Sequence, residues 1–203
     1  MMSALAIDTV SAKPSISVRK GDVFFSHGLS AGRKQSKTLL DELENLFDQA
    51  EISFQDLEAL AVLTGPGSFT GIRVGLSFLK GISIALDIPL KGANHFDLIA
   101  ASILPESGEG IIILESGRDE KFCQYTKDGA LVDQPFNVAF SDLDIQDYII
   151  SDFDVSGFSG VQTIDYAHHT AELLLRHIDL AKDDLSPFYI RDADTSSPKK
   201  NIL

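Results

Sequence analysis

Leu63-Thr64-Gly65-Pro66-Gly67-Ser68-Phe69-Thr70-Gly71-Ile72-Arg73-Val74-Gly75 carries four glycines and a proline between an apolar run and a long apolar-rich segment. Upstream, Leu60-Ala61-Val62-Leu63 is short and continuously apolar, as a buried strand is, and Ser68 or Thr70 can cap a following helix. The stretch is therefore a strand-to-helix turn. Glycines there permit positive φ or close approach, and a helix start offers unpaired N–H groups to an anion. No Lys-Ser/Thr follows the last glycine, and the spacing is not G-x-G-x-x-G, so neither common phosphate-binding pattern is met. Spacing alone leaves two readings open: a phosphate-binding turn, or a tight turn that lets helix and sheet pack closely.

The 203 residues suffice for one large or two small domains, and 44% apolar content supports a packed core. A single cysteine, Cys123, excludes an intrachain disulfide. The start Met1-Met2-Ser3-Ala4-Leu5 lacks a basic region followed by a long apolar one. Lys80 and Asp87 interrupt the longest apolar stretch, so no membrane role is expected. These features predict a soluble, cytoplasmic protein. Thirty acids against 17 bases, a net charge of −13, argue against free association with nucleic acid. Arg33-Lys34-Gln35-Ser36-Lys37 and Lys199-Lys200 are short enough to be solvated surface.

Along the chain, Ala4 to Ile7, Ser15 to Arg19 and Val23 to Phe25 predict an antiparallel meander. A helix is expected from about Ser36 to Ala50, with Leu39, Leu43, Leu46 and Ala50 on one stripe and Leu40 and Phe47 beside it. Ser53 to Leu57 predicts a capped turn before the strand that enters the glycine loop. Beyond the loop, a helix to about Leu86, an edge strand at Pro89 to Lys91 and a helix from Asn94 to Ile103 are expected. Pro105 to Gly110 breaks the pattern and divides the chain into domains 1–104 and 105–203. The second part reads as a reduced copy of the first, with strands at Ile111 to Leu114, Phe122 to Thr126 and Phe153 to Ser156. Helices are expected from Ser141 and from Ile164 to Ile178.

In the helix after the glycine loop, Ile72, Leu76, Leu79, Ser83 and Leu86 share one face while Val74, Phe78, Gly81 and Ala85 lie nearly opposite. Arg73, Ser77 and Lys80 form a narrow polar strip. Leaving Val74 and Phe78 in water forgoes roughly 1.5–3 kcal/mol each. The second face is therefore covered either by the same domain or by another chain.

The five histidines, at 27, 95, 168, 169 and 177, include no i, i+4 pair, so no metal site is expected. G-x-S-x-G is absent, and Cys123 has no local reason to be a nucleophile. Asp8, ending the first strand, could reach a metal-bound phosphate or simply start a turn with Thr9.

Leu5-Ala6-Ile7-Asp8-Thr9, Leu63 to Gly75, and Pro187-Phe188-Tyr189-Ile190-Arg191 together resemble the TsaB (YeaZ) family, over nearly the whole chain. The resemblance implies an actin-like ATPase (ribonuclease H-like) α/β fold of two related domains with mixed sheets. It implies a non-catalytic subunit that pairs with the catalytic protein TsaD in threonylcarbamoyl transfer to the adenosine next to the anticodon, in tRNAs reading codons that begin with A. The small ATPase TsaE would join through the complex, tRNA would be touched only indirectly, and the chain alone would form a homodimer. Catalytic relatives carry a metal-binding H-x-x-x-H on the equivalent helix, where this chain has Lys34-Gln35-Ser36-Lys37-Thr38-Leu39-Leu40. The common histidine at Gln35 is also missing, and Glu115-Ser116-Gly117-Arg118-Asp119-Glu120-Lys121-Phe122 is a loose match to the family's D-A-R-R-G-E-V-Y.

The implied pairing surface comprises Ser36, Leu40, Leu43, Phe47, Thr70, Arg73, Val74, Ser77 and Phe78. The fold would place any nucleotide at Asp8, Thr9, Gly65, Gly67 and Ser68, with ATP or ADP at a subunit or domain junction and no cofactor firmly bound. A free-standing actin-like ATPase or small-molecule kinase is the alternative. Peptidase activity, suggested by the superfamily's glycoprotease name, is opposed by the missing metal ligands.

Overall fold

The computed structural model describes residues 2–30, 35–117, 119–143, 147–155, 162–165 and 170–190, without the side chains of 35–37 and 163–165. Strand β1 (Ser3–Asp8) is buried along its whole length. It pairs antiparallel with β2 (Ser15–Lys20), which pairs antiparallel with β3 (Val23–Gly28). On its other edge β1 runs parallel to β4 (Leu57–Gly65), and β4 to β5 (Leu90–Asn94), giving the order β3-β2-β1-β4-β5.

Helix α1 (Gln35–Ala50) crosses from β3 to β4, α2 (Phe69–Leu86) from β4 to β5, and α3 (His95–Ile103) follows β5. Local chemistry sets these boundaries. The Ser53 hydroxyl and backbone N–H both donate to Asp56, closing the turn before β4. Ser68 caps α2 by accepting from the Gly71 N–H, and the Asn94 side chain caps α3 by accepting from the Phe96 N–H.

The second sheet contains β6 (Glu109–Leu114), β7 (Glu120–Lys127), β8 (Ala130–Ala139), β9 (Tyr148–Ser151) and β10 (Gln162–Asp165), in the order β10-β9-β6-β7-β8. Read from the other edge, this repeats the first sheet: an antiparallel meander of three, then two parallel strands. The fold is thus two related mixed-sheet α/β units, as the actin-like expectation has it.

Several details depart from expectation. Strand β8 includes Asp133-Gln134-Pro135, which has turn composition; an edge strand with a register shift and Asp133 at φ +58° accommodates it. The strand expected at Phe153 to Ser156 lies earlier, at Tyr148–Ser151, and Phe153 and Val155 instead cover the sheet's apolar face. Residues 140–142 form a 3-10 turn in place of a helix start. Of the helix expected from Ile164 to Ile178, Ile164 and Asp165 belong to β10, residues 166–169 lie outside the described residues, and Thr170–Arg176 forms α4.

The helices also cross between the units. Alternation along β2 turns Lys20, whose ammonium donates to the Ala50 carbonyl of α1, to one face. Ser15, which accepts from the Ala171 N–H, and Arg19, which donates to the Leu175 carbonyl, face the other. Helix α4 therefore packs on the first sheet, burying Ala171, Leu174 and Leu175 there, while Phe96 and Ile99 of α3 join the second core. Division into 1–104 and 105–203 therefore cuts through both cores. Leu174→Ala should destabilise the protein by about 2–5 kcal/mol, the range for a fully buried leucine, in urea unfolding followed by circular dichroism.

Candidate functional site

The three stretches that carry the family resemblance meet at one place. The Thr9 hydroxyl donates to the Gly71 carbonyl at 2.7 Å in the first turn of α2. The Ser68 N–H donates to the Val10 carbonyl at 3.0 Å, and the Phe188 N–H to the Thr64 carbonyl at 2.8 Å. Phe69 stacks on Tyr189 with ring centroids 5.1 Å apart, and the Arg73 guanidinium lies 4.0 Å over the Phe69 ring.

The glycines are required by these contacts. A Cβ on Gly71 would sit 1.8 Å from the Thr9 carbonyl oxygen. On Gly67, at φ +151°, it would sit 2.5 Å from Val10. The close-packing reading of the glycine loop accounts for both positions.

Asp8 and Thr9 are fully or almost fully buried, and Asp8 holds its own turn. Its carboxylate accepts from the N–H groups of Val10 (2.8 Å) and Ser11 (3.0 Å) and from the Ser11 hydroxyl. Thus Asp8, Thr9, Gly65, Gly67 and Ser68 do come together, and the polar atoms of Asp8, Thr9 and Ser68 bond within the chain.

Two further residues at this place had no signal in the sequence. Asp152, just after β9, is fully buried, and its carboxylate accepts from the Ala12 N–H and the Glu115 N–H, each at 2.9 Å. Burial pushes its pKa above the usual carboxylate value; His95 and the two N–H donors act in the opposite direction, and Asp8 reinforces the rise. His95, at the start of α3, is fully buried with Nδ1 3.3 Å from the Pro66 carbonyl oxygen. Cys123 is also buried, which pushes its thiol up to about 12 and keeps it in the unreactive thiol form. Among the described residues no three His, Cys, Asp or Glu side chains converge to hold a metal ion.

A second feature lies outside this junction. Register aligns Ile16, Ile7 and Val62 on the face of the first sheet that carries α1 and α2. Between these two helices runs an apolar groove of about 520 Å³, lined by Leu39, Phe69, Arg73, Val74, Ser77 and Phe78, with Thr70 at its end. Leu40 is 46% exposed and Ile84 83%. Val74 and Phe78 are half-buried against the first core and still line the groove.

Two residues expected on this surface are not there. Leu43 and Phe47 point into the core beneath α1, where Phe47 packs edge-on against Phe54. The stripe they share with Leu39 and Leu46 is the buried one. The side chain of Ser36 lies outside the described residues, as do Arg33, Lys34 and both Lys199 and Lys200. By length and composition α2 is apolar enough to cross a membrane even with Lys80 within it. Here its inner face, Ile72, Leu76 and Leu79, is buried in the first core.

The family described as "TsaD: tRNA N6-adenosine threonylcarbamoyltransferase" matches residues 29–141, more than half of the chain. The chain is similar to "tRNA threonylcarbamoyladenosine biosynthesis protein TsaB" of Bacillus subtilis, 29% identical over 102 residues, covering 50% of this chain and 44% of that protein. The Escherichia coli protein of the same name is 27% identical over 107 residues, covering 53% and 46%. The matched stretch thus spans a little under half the length of these relatives. Among solved structures, "YeaZ from Pseudomonas aeruginosa" superposes with a TM-score of 0.69 at 20% identity, covering 93% of this chain and 100% of that one, a likeness of fold.

Gly71→Ala should lower stability by at least about 3 kcal/mol or prevent folding, since its Cβ would strike backbone. Gly81→Ala, in the same helix with nothing within 4 Å, should raise stability by about 0.5–1 kcal/mol. Thermal unfolding of the two variants side by side checks both signs.

Proposed function

The chain belongs to the threonylcarbamoyltransferase family, on its TsaB (YeaZ) branch, and we propose that it is the non-catalytic subunit of a tRNA threonylcarbamoyl-transfer complex. In this reading it pairs with a TsaD-type catalytic subunit, which modifies the adenosine next to the anticodon of tRNAs reading codons that begin with A. The observation that carries the reading is the apolar groove between α1 and α2.

Covering the remaining exposed apolar surface of the groove is favourable at roughly 25 cal/mol per Å², and the Phe69 and Phe78 rings offer the anchors that pairing surfaces use. Leu40, Thr70, Arg73, Val74, Ser77 and Phe78 are the contact residues in this reading; Leu43 and Phe47 support α1 from below. A protein without its partner would cover the same groove with a second copy, so homodimer and heteromer compete. The charge of −13 supports a subunit that leaves tRNA contact to the catalytic partner, with a TsaE-type ATPase joining through the complex.

The test is molar mass by light scattering for the chain alone and mixed with the TsaD-type protein of the same organism. The expected result is a one-to-one heteromer formed at the expense of the homodimer, and modification of tRNA by the mixture. Ser77→Arg, an exposed change in the groove, should weaken the heteromer by at least about tenfold, and Phe78→Asp should abolish it, both with unchanged circular dichroism. Independent elution of the two proteins would overturn the reading. ATP hydrolysis by the isolated chain would favour a free-standing ATPase instead.

A further inference from the structure

In the fold to which this chain belongs, a nucleotide would lie between the two units, against the turns that follow their first strands. Here those turns are residues 9–14 after β1 and, among the described residues, 115–117 and 119 after β6. An anion held there needs backbone N–H groups free to point at it. In the first turn the N–H groups of Val10 and Ser11 donate to Asp8, and that of Ala12 to Asp152. In the second, the N–H of Glu115 donates to Asp152 and that of Gly117 to the Glu115 carboxylate, at 2.7 Å.

The glycine loop is engaged in the same way, through Ser68 to Val10 and Gly71 to Ser68. Val10 packs directly against Gly67, where a Cβ would sit 2.5 Å from it. The N–H groups named here are thus already taken by acceptors of the chain itself, which argues against a nucleotide between the turns.

The two turns are tied by one side chain. Asp152 reaches the first turn with one carboxylate oxygen and the second with the other, across 140 and 37 residues of sequence. We propose that Asp152 is an internal staple across the junction of the two units, and that the junction it closes takes no nucleotide. Its two N–H donors are matched by two acceptors on a fully buried group, so removing either oxygen leaves a donor unpaired and opens that turn. The proposal is independent of whether the α1–α2 groove binds a partner.

Two measurements on the full chain test it. Titration calorimetry with Mg-ATP and Mg-ADP should show no binding by the wild type at millimolar nucleotide. Amide hydrogen exchange should show Ala12 and Glu115 protected in the wild type. In Asp152→Ala both should exchange at least about tenfold faster, while Ile7 and Ile112 keep their rates. Asp152→Asn, which keeps the shape and one acceptor oxygen, should free one of the two amides.

Binding of either nucleotide below about 1 mM, or unchanged exchange at both amides in the alanine variant, would overturn the proposal. Should neither variant fold, the wild type decides alone: unprotected Ala12 or Glu115 amides, or nucleotide binding, would sink it. Protected amides with a flat titration would sustain it.

Discussion

The contact on which the rest of the structure depends is the close approach of the β1–β2 turn to the first turn of α2, sealed by the Thr9 hydroxyl on the Gly71 carbonyl. A buried hydrogen bond of this kind contributes only about 1 kcal/mol net, but leaving either partner unpaired there would cost more. Its larger effect is geometric. With Gly71 and Gly75 lacking a Cβ, α2 settles onto Thr9 and Val62. That fixes the direction of α2 and so which of its faces is buried. The groove beside α1 exists because α2 is held at that depth.

The two units repeat a strand order, but they do not fold as separate halves. Helix α4 fills the first core, α3 contributes Phe96 and Ile99 to the second, and Leu173 packs against both. Exchanged helices make each unit's burial depend on the other's sequence, which couples them more strongly than a hinge would. The Asp152 bridge acts on the turns themselves. A carboxylate taken wholly out of water is tolerated only with its acceptors matched, and both of its oxygens are.

Local signals were legible in the sequence wherever one element decided the outcome. Ser53 with Asp56, Ser68 before α2 and Asn94 before α3 are caps whose partners lie two or three residues away. The glycine loop was equally plain, although its spacing could not separate a phosphate turn from a packing turn, because the atoms that decide belong to Thr9 and Val10. Strand β8 was hidden by Pro135, which an edge strand admits and a central one would not. Leu43 and Phe47 were misplaced because Leu39, Leu43, Leu46, Phe47 and Ala50 form one broad apolar arc, and a wheel does not say where burial ends. Asp152 carried no local mark at all, since both of its partners lie far along the chain.

At the junction of the two units the Asp8 and Asp152 carboxylates and the Thr9 hydroxyl are bonded within the chain. What the molecule leaves available is on the other side of the glycine loop. The same turn that seats α2 on Thr9 leaves Phe69, Val74, Ser77 and Phe78 lining the groove beside Leu39 of α1. Rigidity at the junction and an unpaired apolar face on α2 are therefore two consequences of one packing arrangement. A surface held in place in this way needs little reordering to receive a partner, which lowers the entropic cost of association. The junction and the groove are then parts of one packing arrangement, in which the turn held by Thr9 and Asp152 fixes the depth at which α2 presents its outer face.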